Sequence, residues 1–104
     1  MIPGLEARLA QLAAENQTTT YGALARDLNL IGPGSIARLT TALETLMEKD
    51  SAQNRPLHAA VVTARNSALP APGFFQKAAA LGLQIQDPAA FVAEHRQALH
   101  IICR

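Results

Sequence analysis

Leu5, Leu9 and Leu12 are spaced by four and three residues, while Glu6, Arg8 and Gln11 fall elsewhere on the helical wheel. That repeat places the leucines on one face and predicts a first helix from Pro3 to about Glu15, with Pro3 in the first turn, where its missing N–H is no loss. Leu24, Ala25 and Leu28 give a short second helix over Tyr21–Leu28, capped by Thr19 or Thr20. The stretch Asn29-Leu30-Ile31-Gly32-Pro33-Gly34 holds too many breakers to be helical. A third, longer helix follows over Ser35–Lys49, with Ser35 as its cap. Ile36, Leu39, Leu43, Leu46 and Met47 make its apolar stripe, and Arg38, Thr41, Glu44, Thr45 and Glu48 its polar face. Three helices joined in this way have the outline of a helix-turn-helix unit.

The second half has a different texture. Asp50 to Pro56 reads as a polar loop. Leu57–Thr63 holds the only adjacent valines and reads as a strand. Ala64–Pro72 is a loop in which Ala68-Leu69 is the best partner strand for a two-stranded wing. Gly73–Leu81 reads as a helix with Phe74, Phe75 and Ala78 inward and Gly82 as a left-handed stop. Asp87 and Pro88 start a last helix, as cap and first helical residue, and Phe91, Val92, Leu99 and Ile102 mark its buried side. The expected fold is mainly α with a small β element: a helix-turn-helix or winged-helix core plus C-terminal helices. It reads as a single domain over 1–104, divided into a three-helix unit (1–50), a strand and wing-like loop (51–72) and C-terminal helices (73–104).

Composition narrows the function classes. The 104 residues are 49% apolar and carry a net charge of +1, so a core is available and no strong field draws in nucleic acid or an anionic membrane. The charge is uneven. Residues 1–50 hold four cations against six anions and residues 51–104 hold five against two, so an electropositive face is expected from the second half. One Cys forms no internal disulfide and fits a reducing compartment. No run approaches the roughly 18 apolar residues of a membrane span, and the N-terminus lacks a signal-peptide pattern; a cytoplasmic protein without membrane partners is expected. His95 and His100 do not share a helix face; His100 and Cys103, three apart, can share one but give only two ligands at the end of the helix. Neither a metal site, a cofactor nor a nucleophile is expected, and no phosphate-loop or hydrolase motif is present.

The segment Thr19-Thr20-Tyr21-Gly22-Ala23-Leu24-Ala25, the Ala37-Arg38 pair and Arg55-Pro56-Leu57-His58-Ala59-Ala60-Val61-Val62 resemble the DNA-binding part of the DNA alkylguanine alkyltransferases and their alkyltransferase-like relatives. The resemblance implies that Arg38 occupies the base stack of a lesion and that Tyr21 touches the phosphate backbone. Leu57 stands where the nucleophilic Cys of that family falls, and Ala59 where an Arg follows the His, so alkyl transfer is not implied. Over a longer stretch, Tyr21-Gly22, Pro56-Leu57, Val61-Val62 and Pro72-Gly73-Phe74 are similar to a group of small bacterial domains that occur alone or beside nuclease or defence modules. Both resemblances imply a helix-turn-helix or winged-helix core.

Two partner classes stay open. In the first, the chain is a non-catalytic domain for double-stranded DNA. Ser35, Arg38 and Thr41 then approach base edges from the third helix, Tyr21 contacts a phosphate, and Arg55, His58 and Arg65 form a basic wing. In the second, the same scaffold is a protein-interaction module, as a homodimer or with another protein, and binds through apolar surface at Phe74-Phe75 or Leu99–Cys103. In that case Tyr21 is a half-buried ring, Arg38 lies on a solvated helix face and the loop cations serve solubility.

Overall fold

The computed structural model describes residues 2–104. It is mainly helical: α1 (Leu5–Ala14), α2 (Tyr21–Asp27), α3 (Ser35–Ala52), α4 (Pro72–Ala80) and α5 (Pro88–Cys103), with a 3-10 turn at His58–Val61. Two strands of two residues each, β1 (Thr19–Thr20) and β2 (Val62–Thr63), pair in parallel with Thr19 opposite Val62 and Thr20 opposite Thr63.

The helix stops share one device. α1, α2, α3 and α4 are followed by Asn16, Asn29, Asn54 and Gly82, each in the left-handed region, with φ of 57°, 60°, 54° and 89°. In each case the next N–H folds back onto the carbonyl five residues earlier: Gln17 to Leu12, Leu30 to Ala25, Arg55 to Asp50 and Leu83 to Ala78, at 2.8–3.1 Å. Glycine and asparagine are the residues that tolerate this backbone, and the reversal satisfies carbonyls the helix would leave unpaired. The starts vary more. Thr20 accepts from the Ala23 N–H and caps α2, and Asp87 accepts from the Ala89 and Ala90 N–H groups ahead of Pro88 in α5.

Several expectations are corrected. Pro3 lies outside α1, whose N-cap is Gly4. Ser35 is the first residue of α3 rather than its cap; Gly34 holds the cap position at φ 80° with no side-chain bond. The helix runs on to Ala52, because Asp50 and Ser51 are helical and the chain breaks only at Asn54. The expected strand over Leu57–Thr63 is mostly the 3-10 turn. Its short β end pairs with Thr19–Thr20, not with Ala68-Leu69. The latter closes a loop of its own, in which the Ala64 N–H donates to the Leu69 carbonyl at 2.8 Å. Ile36 and Ile102, placed on buried stripes by spacing, are 45% and 58% exposed. Both sit in the first or last turn of their helices, where no neighbouring element covers the stripe.

The core is one cluster that draws Leu9 from α1, Leu24 from α2, Leu39 from α3, Val62 from β2, Ala78 from α4 and Leu99 from α5, with Leu57 and Ala60 from the turn region. α5 lies along α1, where His100 Nδ1 donates to the Ala13 carbonyl at 2.9 Å. Phe74 meets Phe75 and Phe91 edge-on, at centroid distances of 5.1 and 6.2 Å, and joins α4 to α5. Arg96 fastens the irregular segment to α5: Nε donates to the Ala60 carbonyl at 2.7 Å and Nη2 to the Ala68 carbonyl at 2.9 Å. No helix among the described residues is long and apolar enough to cross a membrane.

Candidate functional site

The cations that sequence reading grouped into one interface lie in different places. Arg38 is in the first turns of α3, and Arg55 and His58 follow its far end. With a rise of 1.5 Å per residue, Arg38 and Asp50 are about 18 Å apart along the helix axis. Arg65 is exposed on the loop between β2 and α4, next to Asn66 in its left-handed turn.

At the far end of α3 the chain turns inward. The Asn54 reversal brings the Arg55 N–H to the Asp50 carbonyl, and Arg55 Nη2 donates to Asp50 Oδ1 at 2.7 Å. Asp50 Oδ2 accepts from the His58 backbone N–H at 3.0 Å and lies 2.9 Å from His58 Nδ1. Asp50 is 0% exposed, so this carboxylate is a core group with its partners built around it. Burial pushes its carboxyl up. The His58 hydrogen bonds and the His58 and Arg55 charges outweigh that and hold it below the usual carboxylate range. His58, expected on a phosphate-binding wing, is 5% exposed and turned onto Asp50. Arg55 also faces Glu6 of α1 at 4.0 Å, and Lys49 Nζ donates to Glu6 Oε1 at 3.1 Å.

The near end of α3 is built differently. An open groove of about 850 Å³ runs between the start of α1, the α2–α3 turn and the outer side of α3. Ile2, Leu5, Leu28 and Leu30 form much of its apolar lining. Its α3 wall is Ala37, Arg38, Thr41, Ala42, Thr45, Leu46 and Lys49, residues three and four apart and therefore on one face. Arg38 Nη2 donates to the Ile31 carbonyl at 3.1 Å, which places the 84%-exposed Ile31 beside it. Thr45 Oγ donates to the Thr41 carbonyl at 3.1 Å, so that hydroxyl is satisfied within the helix. Two of the residues chosen from sequence, Arg38 and Thr41, line this groove. Ser35 is a turn earlier on the same helix and is half-buried.

The remaining candidates have structural partners. The half-buried Tyr21 accepts from the Ala71 N–H at 3.3 Å through its hydroxyl. Burial pushes its pKa up against that hydrogen bond. His95, not singled out as a site, accepts the Leu57 N–H on Nδ1 at 2.9 Å, stacks on Phe91, and is pushed down by burial. Phe74 is buried and Phe75 half-buried, so the aromatic pair forms no free patch. Ile101 and Ile102 are exposed at the end of α5, and burial raises the Cys103 thiol between them and the chain end. Among the described residues no group of three or more His, Cys, Asp or Glu is placed to hold a metal ion.

Sequence reading missed the groove because its signal is the absence of large side chains. Ala37 and Ala42 interrupt the stripe of α3 without marking a polar face. Asp50 had a usable signal: Asn54, four residues later, ends the helix and returns Arg55 to it. Comparison with protein-family models, with curated proteins and with solved structures gives no match.

Proposed function

We propose that this chain is a non-catalytic protein-interaction module that seats an apolar polypeptide segment of a partner protein in the groove beside α3. The observation that carries this reading is the α3 wall itself. The exposed face of α3 is one side of an apolar cleft, and between Arg38 and Lys49 it presents Thr41, Ala42 and Thr45 rather than the long polar side chains that read base edges. The charge distribution supports the same reading. Arg55 and His58 are held by Asp50, Arg96 by two carbonyls, Arg8 by Asp27, Lys49 by Glu6 and Lys77 by Glu48. Few cations are left to displace counterions from a duplex.

Binding of double-stranded DNA through a helix-turn-helix or winged-helix core is the second reading. In its favour, Arg38 and Thr41 are exposed on the first turns of α3. Fluorescence anisotropy separates the two. At about 50 mM salt, where phosphate contacts are strong, a labelled mixed-sequence duplex is expected not to bind. A labelled peptide stapled as a helix with a leucine stripe is expected to bind, and Thr45→Arg, which fills the groove from an exposed position, is expected to abolish that binding. Duplex binding that Arg38→Ala removes would overturn the proposal in favour of DNA.

A further inference from the structure

Resting on that reading, we infer that the occupant of the groove is an amphipathic helix of about three turns that brings a carboxylate to Arg38. Three observations lead there. The first is length. From Arg38 to Lys49 the α3 wall extends about 16 Å, which is about three turns of an opposing helix. The second is the wall's shape. Between Arg38 and Lys49 at its ends, the middle of the α3 face is Thr41, Ala42 and Thr45, with Leu46 nearly buried beneath them. Short side chains at the middle of the wall let a second helix approach to the 8–10 Å interaxial distance of packed helices.

The third observation is charge, and it sets polarity. Lys49 at one end of the wall is already paired with Glu6 at 3.1 Å, and Glu6 is faced by Arg55 at 4.0 Å. Arg38 at the other end has a carbonyl as its hydrogen-bond partner. Among the described residues no carboxylate lies within ion-pair distance of it. The first turn of α3 contains no acidic residue, and Gly34 offers no side chain there. The groove thus has one compensated end and one cationic end. A carboxylate arriving at Arg38 pairs opposite charges through its hydrogen bonds, an amide oxygen accepts from the guanidinium without that second charge, and a lysine has nothing to accept with. Ile31 beside Arg38 is covered by the same incoming turn.

The test uses the full chain and three stapled, labelled helical peptides about three turns long with the same leucine stripe, ending in Glu, Gln or Lys. The Glu peptide is expected to bind about tenfold more tightly than the Lys peptide, with the Gln peptide between, and Arg38→Glu is expected to reverse the order. Equal affinity for all three overturns the role of Arg38 while leaving groove docking intact. Binding of none of them, or binding that Thr45→Arg leaves unchanged, overturns the docking reading as well. A homodimer in light scattering that Thr45→Arg dissociates assigns the groove to a second copy and overturns the inference.

Discussion

Arg38 at one end of α3 and Arg55 just past the other are put to opposite uses. At the far end, Arg55 supplies the counter-charge to Asp50 inside the fold, and His58 hydrogen-bonds the same carboxylate. At the near end, Arg38 is solvent-facing at the mouth of an apolar groove with a carbonyl as its partner. What separates them is the burial of one carboxylate. A buried Asp costs so much to leave unpaired that the nearest cation and hydrogen-bond donors are recruited to it, whereas a surface Arg is free to meet a ligand. A cation in a sequence therefore indicates binding only once its nearest acid has been placed.

This contrast is most severely tested at Asp50. Asp50→Ala leaves His58 and Arg55 facing an empty corner and is expected to cost about 3–5 kcal/mol, read as a fall in the urea midpoint. Thr45→Arg at the groove is expected to stay within about 0.5 kcal/mol of the parent in the same assay. Equal losses would erase the distinction between the compensated end and the groove end.

Acid should act on the compensated end in two stages. His95 is held neutral by burial, with Nδ1 accepting from Leu57, so its folded pKa lies below the usual 6.5. The unfolded chain takes up that proton first, and stability is expected to begin falling as the pH drops below 6.5. Asp50 has a folded pKa below its ordinary 3.8, so its contribution is complete above that value and is lost as the pH falls through the folded one. Melting temperatures from neutral to strongly acid pH should show both stages, with Asp50→Asn removing the second.

Smaller effects sharpen the comparison. Arg55→Ala leaves Asp50 with two His58 contacts and is expected to cost about 1–2 kcal/mol, the lower part of the range for hydrogen bonds to charged groups, because the guanidinium also reaches water. Arg65→Ala, on an exposed loop, is expected to change the denaturation midpoint by no more than about 0.5 kcal/mol in equivalent stability.

The helices were legible because their signals are local: leucine spacing in α1, the Thr20 cap of α2, the Asp87-Pro88 start of α5. Leu57–Thr63 misled because the adjacent valines divide between two forms: Val61 ends the buried 3-10 turn and Val62 opens β2, and the turn's His58 N–H is held by Asp50, a contact across eight residues. The parallel pairing of Thr19–Thr20 with Val62–Thr63 joins segments too distant for any pattern to register. Of the candidate site, Arg38 and Thr41 were legible as an exposed face. The cleft beside them was not, since it exists only where α1 and the α2–α3 turn approach α3.

The central claim, that the groove beside α3 is the binding face, is tested most directly by titrating 15N-labelled protein with the Glu-ended stapled helix. Amide shifts are expected to cluster at Ala37, Arg38, Thr41, Ala42, Thr45 and the first turn of α1, with Arg65 and the end of α5 unmoved. Shifts confined to Phe75, Ile101 and Ile102, with the α3 wall unchanged, would contradict it.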